Sequence, residues 1–236
     1  MQEAWHIRAG PDSNHNGRSD PSRPGMTIAF LLLVLVLLPL AALASARATP
    51  TDPQRLPDVA ALHRQALIVH WVLAGAALAT AATADLPLVW VTTPTPAAWL
   101  LAVLVVIGFL ALSQLEARRS RPSPLREAFR AQPLDRWTLL VSLSAAISEE
   151  LVYRGVLVLV LQAMLPLWAA LAISAVAFAC GHLAQGWRGA LLAAGFALAM
   201  QGLLWFSGAL LLPILAHLAY DLGAALIARR RFRHAQ

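Results

Sequence analysis

Seven apolar runs divide the chain: 26–43, 66–84, 97–115, 137–165, 167–183, 190–206 and 209–228. Each is close to the ~20 residues that a helix needs to cross a bilayer. Inside hydrocarbon every backbone polar group has to be satisfied within its own segment, and a helix does this. The pattern therefore predicts an all-α, polytopic transmembrane bundle of about seven helices. Pro166 separates the fourth run from the fifth, and Gln185-Gly186-Trp187-Arg188-Gly189 reads as the turn before the sixth. Residues 1–25 are polar and carry no apolar period, with Pro11, Gly17, Pro21, Pro24 and Gly25 among them. They read as a disordered extension, with Met26 as an alternative start. Three regions follow: 1–25; 26–133, with the first membrane helices and an arginine-rich loop; and 134–233, the remaining helices.

Composition narrows the class. The chain is 59% hydrophobic and 13% charged, with a mean hydropathy of +0.65. These values exclude an ordinary soluble domain. All 18 basic residues are arginine, and the net charge is +6. Such a balance can signal nucleic acid. Here the arginines fill the short segments between apolar runs, which the positive-inside rule explains and nucleic-acid binding does not. The rule puts the 46–65 loop, the 116–136 loop, Arg188 and the C-terminus in the cytoplasm. The 85–96 loop, without arginine, falls outside. The expected location is the bacterial plasma membrane, with lipid as the surrounding partner. Ala42-Leu43-Ala44-Ser45-Ala46 resembles a signal-peptidase site, but cleavage there would put the 46–65 arginines outside, so the first run is expected to be retained. Cys180 is the only cysteine, so no disulfide framework is expected.

Candidate chemistry lies in the C-terminal half. From Trp137 onward the acidic residues are Glu149, Glu150 and Asp221, and the histidines before the tail are His182 and His217. A charge inside a membrane helix costs roughly 2.5–3.5 kcal/mol on insertion scales, so retained charges mark function. Glu150 and Arg154 are four apart and share a helical face, whereas Glu149 is turned away by ~100°. One carboxylate thus reads as paired and structural, the other as available. A packing role alone would explain Glu150 and Arg154 and leave Glu149 unexplained. Phe178 and His182 share a face on the fifth run, as His217 and Asp221 do on the seventh. Either histidine alone could be a hydrogen-bonded packing residue. Together the five groups suggest one polar chamber that holds a water, removes its proton with Glu, and steadies an oxyanion with His donors. The same set, Glu149, His182, His217 and Asp221, could instead hold a divalent metal such as zinc. An ion or proton transporter, or a non-enzymatic immunity factor, could also use such a chamber. Transporters more often show internal repeats, and none is evident here.

Three motifs in order, Glu-Glu-x-x-x-Arg at 149–154, Phe-x-x-x-His at 178–182 and His-x-x-x-Asp at 217–221, resemble the CPBP family of intramembrane proteases. That family includes the type II CAAX prenyl endopeptidases, the Abi proteins and bacteriocin-immunity relatives. The resemblance covers roughly 134–233 and implies a glutamic-type endopeptidase without cofactor, acting on a membrane-anchored protein or peptide. It implies that Glu149 activates water with His182 assisting, that His217 and Asp221 form the oxyanion site, and that Glu150, Arg154 and Phe178 support them. Many members carry Asn at the last position. Asp221 donates a hydrogen bond only when protonated, whereas an ionised Asp221 would suit a metal. Depth fits poorly: Glu149 lies ~18 Å beyond Trp137, while His182 is near the inner end of its run.

Overall fold

The computed structural model describes residues 23–48, 58–119 and 135–234. The stretch 1–25, expected to be disordered, lies outside the described residues up to 22; its last three residues, Arg23, Pro24 and Gly25, are instead the first turn of a helix. Residues 49–57 and 120–134 also lie outside the described residues. Among the described residues, seven helical rods correspond to the seven apolar runs. They are α1 (23–48), α2 (Val59–Thr83), α3 (Pro96–Arg119), α4 (136–162), α5 (Leu167–Gly181), α6 (Trp187–Ser207) and α7 (Leu211–His234). No strand occurs among the described residues. Rods α1, α2, α3, α6 and α7 are long and apolar enough to cross a membrane; α5 is apolar but shorter. The protein is an integral membrane protein.

Local chemistry moves several ends away from where hydropathy alone puts them. Rod α2 starts at Val59, well before the apolar run at 66, because the Asp58 carboxylate caps it by accepting from the Ala60 N–H at 3.2 Å. Asp135 caps α4, accepting from the N–H groups of Trp137 and Thr138. These bonds, the one from Thr138 first, hold the Asp135 carboxyl below its ordinary range. Rod α7 continues through Arg229 and Arg230 to His234, past the end of its apolar run at 228. Pro166, without an N–H, precedes α5. Gly208, at φ +72°, ends α6 in the left-handed conformation that suits glycine.

The rods alternate in direction. Arg119, Arg136, Arg188 and Arg229 gather at one end, where Arg188 Nη1 donates to the Arg119 carbonyl at 3.1 Å. At the other end the extended 85–95 segment docks on the α6–α7 turn. The N–H groups of Leu210 and Leu211 donate to the carbonyls of Val89 and Trp90, each at 3.0 Å. Rod α4 runs through the middle. Its first half packs against α2 and α7, and its second half meets α2, α5 and α6. All residues from Glu150 to Leu157 are buried, so this stretch is enclosed by protein. Small residues allow close approach elsewhere: a Cβ on Gly223 of α7 would stand 3.0 Å from Leu110 Cδ1 of α3.

Candidate active site

Within α4 the helix widens at Glu150 to i→i+5 hydrogen bonding and keeps that register through Leu157. Such wide turns recur at functional sites. Glu150 is fully buried and Arg154 is 2% exposed. Arg154 Nε stands 3.3 Å from Glu150 Oε2. That is an ion-pair distance, although the N–H is misaligned for a hydrogen bond and Arg154 makes none through Nη1 or Nη2. Its guanidinium instead lies 4.4 Å from the centre of the Phe178 ring, a cation–π contact. The other Glu150 oxygen, Oε1, accepts from His217 Nδ1 at 2.7 Å. Glu150 therefore joins α4 to α7, as the i,i+4 argument from sequence anticipated for its Arg partner alone.

The second face of His217 is different. Nε2 stands 3.7 Å from Glu149 Oε2 and 3.9 Å from Asp221 Oδ2. Both gaps exceed a hydrogen bond and suit one bridging water or substrate oxygen. The Glu149 and Asp221 side chains are 18% and 27% exposed, against 0% for Glu150. One imidazole thus divides the three acidic groups into a sealed one, Glu150, on Nδ1 and an accessible pair, Glu149 and Asp221, on Nε2.

His182 is not inside α5; it is the residue that caps the helix. Its Nδ1 donates to the Phe178 carbonyl at 2.9 Å, which fixes Nε2 as its free nitrogen because a carbonyl only accepts. Its ring packs on Phe178 with centres 4.6 Å apart. Phe178 also meets Tyr153 at 5.1 Å and His217 at 6.4 Å. The depth problem disappears when position is counted from the 163–166 turn that α4 and α5 share. Glu149 and His182 are each about 15 residues, or ~22 Å, from that turn. The Arg136 end of α4 extends further from that turn than the His182 end of α5. Among the described residues His182 makes no hydrogen bond or ion pair with Glu149; its electrostatic neighbour is Asp221.

The seven site residues read from sequence therefore form one cluster. Two further members come from elsewhere. Phe196 of α6 packs edge-on against His217 at 5.0 Å; nothing distinguishes it from a lipid-facing aromatic in the sequence. His70 of α2 hydrogen-bonds Ser144 at 2.9 Å and lies within electrostatic reach of Glu149 and His217. Its signal was available, since a histidine inside the 66–84 run is as unusual as one inside the fifth. Among the described residues no three His, Cys, Asp or Glu side chains are grouped to hold a metal ion. Nδ1 of each histidine is committed to an oxygen of the protein, which leaves Nε2 as the nitrogen each could offer to a ligand.

Compared with models of known families, residues 134–223 match the type II CAAX prenyl endopeptidase Rce1-like family. The match spans α4, α5, α6 and the first half of α7, and so all three motifs. No curated protein and no solved structure matches the chain.

Proposed function

We propose that this chain, whose residues 134–223 form a domain of the CPBP/CAAX protease family, is an intramembrane endopeptidase that cleaves a membrane-anchored protein or peptide with water activated by Glu149. The observation that carries this reading is the asymmetry about His217. Glu150 is sealed and paired, whereas Glu149 is open and faces the free edge of the same ring. Of the two glutamates, Glu149 is the one placed to meet water and a substrate carbonyl together.

In the proposed reaction the Glu149 carboxylate takes a proton from water as the water oxygen bonds to the carbonyl carbon. The carbonyl π pair moves onto oxygen. His217, as imidazolium, donates through Nδ1 to Glu150 and through Nε2 to that oxyanion, and Glu150 is the counter-ion this requires. Protonated Asp221 supplies a second donor. As the tetrahedral species collapses, the C–N bond breaks and Glu149 returns its proton to the leaving amine. His182, with Nε2 free, helps to hold the water. No step uses a metal.

The test is turnover of an internally quenched, farnesylated CAAX peptide by the purified chain in detergent. In parallel, membrane proteomes of deletion and wild-type cells are compared for altered C-termini. Glu149→Gln should lower kcat by about 10²–10⁴, the usual weight of a general base, with the protein still monodisperse. Turnover by Glu149→Gln equal to wild type would sink this reading.

A further inference from the structure

A groove of about 490 Å³ runs between α3 and α6 on the outside of the bundle, apart from the residues that the proposed reaction uses. Its walls are apolar, with Phe109 and Leu112 from α3 and Leu191 and Gly195 from α6. Leu112 is 47% exposed and Leu191 66%, so the groove lies open along its side to the surrounding lipid. Gly195 keeps it deep, since a Cβ there would already stand 3.7 Å from the Phe109 ring. The polar lining residues, Glu116, Arg119, Trp187 and Arg188, gather at one end, where the arginines of the bundle collect. From Arg119 back to Phe109 the helix rises ~15 Å, and from Arg188 to Gly195 ~10 Å. Half of a ~30 Å hydrocarbon core is about the same length. The groove therefore runs the depth of one leaflet, starting from a polar end.

That end is built, not a loose pair of surface arginines. Arg188 lies over the Trp187 ring, 5.2 Å from its centre. Its Nη1 donates to the Arg119 carbonyl at 3.1 Å. This uses one of the five guanidinium donors and holds the cation between the two helices. Two arginines against Glu116 leave a charge of +1, the complement of one phosphodiester. Tryptophan at the end of a membrane helix belongs at the headgroup level, and basic pockets between such helices take anionic head groups.

We infer that the α3–α6 groove binds one anionic glycerophospholipid, with its phosphodiester on Arg119 and Arg188 and one acyl chain laid along Phe109, Leu112 and Leu191. The groove backs onto the candidate active site through two ring contacts. Phe109 meets Phe196 edge-on at 5.3 Å, and Phe196 meets His217 at 5.0 Å. The acyl chain thus forms the outer wall behind the rings that flank His217. Lipid binding requires no proteolysis, so it is tested apart from the protease reading.

The test is native mass spectrometry of the full chain in a mild detergent, mixed in turn with phosphatidylglycerol, phosphatidylethanolamine and phosphatidylcholine of the same acyl chains. An arginine facing an anionic lipid contributes about fivefold in affinity. Phosphatidylglycerol should therefore be retained about fivefold or more over the other two, and Arg119→Gln should lower its retention about fivefold. Arg119 gives Arg188 only its backbone carbonyl, so this variant keeps that bond and its unfolding midpoint. Arg188→Gln should lose at least as much. Arg136 also lies over a tryptophan, Trp137, at 5.7 Å, but it does not line the groove, and Arg136→Gln should leave retention unchanged. Gly195→Leu, which fills the groove without changing its charge, should lower retention of all three lipids. Equal retention of phosphatidylglycerol and phosphatidylcholine overturns the inference. So does a loss in Arg136→Gln as large as that in Arg119→Gln, which would mean diffuse attraction to the whole arginine-rich end. Phosphatidylethanolamine retained as well as phosphatidylglycerol overturns the anionic assignment, with Glu116 then taking the ammonium.

Discussion

Removing the Glu150 carboxylate should destabilise this protein far more than removing its neighbour. In Glu150→Ala, the Arg154 guanidinium is left 2% exposed with only the Phe178 ring beside it, and His217 Nδ1 loses its acceptor. Breaking one side of a buried ion pair typically costs about 3–5 kcal/mol. For a chain of this size that corresponds to a fall in the unfolding midpoint on the order of 10 °C. Among the described residues Glu149 approaches His217 no closer than 3.7 Å, beyond a hydrogen bond, and its side chain is 18% exposed, so Glu149→Gln should cost about 1 kcal/mol or less. Replacing both partners, as Glu150→Gln with Arg154→Met, removes the charge and its counter-charge together. It should therefore recover much of what either single substitution loses. The assay is thermal unfolding followed by circular dichroism at one detergent concentration, with wild type, Glu150→Gln, Arg154→Met and the double substitution forming a double-mutant cycle beside Glu150→Ala and Glu149→Gln. Equal midpoints for Glu149→Gln and Glu150→Ala, or a double substitution that is simply the sum of the singles, would refute the division of labour between the two carboxylates.

Asp221→Asn should keep turnover within about threefold of wild type or raise it, since the amide is always a donor. Chelators should leave the wild type active; loss of activity in chelator with recovery on adding a divalent ion would instead favour a metal role for the same residues. Gly223→Leu should force α7 away from α3, because even a Cβ would stand 3.0 Å from Leu110. A loss of about 1–3 kcal/mol is expected, and an unchanged unfolding midpoint would contradict the close approach. Reporter fusions after Arg233 and within 120–130 should both report the cytoplasm, as the arginine distribution requires; a periplasmic signal from either reverses the topology.

What was legible in the sequence follows from what hydrocarbon forbids. Without water to satisfy it, a backbone in lipid must be helical, so seven apolar runs gave seven rods. The helix ends were less legible because they depend on single side chains. Asp58 draws α2 back to Val59, and α7 runs on to His234 because no glycine or proline lies near Arg229 to stop it. Among site residues, Glu149, Glu150, Arg154, His182, His217 and Asp221 stood out because charge and imidazole are rare in such runs. The pairing of Glu150 with Arg154 followed from four-residue spacing. That His217 bonds Glu150 and also faces Glu149 did not, since it depends on how α7 is turned against α4. The wide turn at 150–157 has no signature in its residues either. His70 escaped because the ionisable groups were gathered only from Trp137 onward, and Phe196 because an aromatic in an apolar run is ordinary.

The enclosure of Glu150 by groups from several helices has a consequence for biogenesis. Of its two partners, Arg154 lies on the same helix and His217 lies 67 residues further along the chain. At about 5–20 residues per second, His217 leaves the ribosome roughly 3–13 s after Glu150. During that interval the nascent fourth helix carries its carboxylate without the α7 imidazole. The Arg154 spacing lets the helix bring its own counter-charge through that wait. A chain stalled before α7 would therefore present the membrane with an ion pair lacking its interhelical lock, the kind of intermediate that membrane quality-control proteases would find.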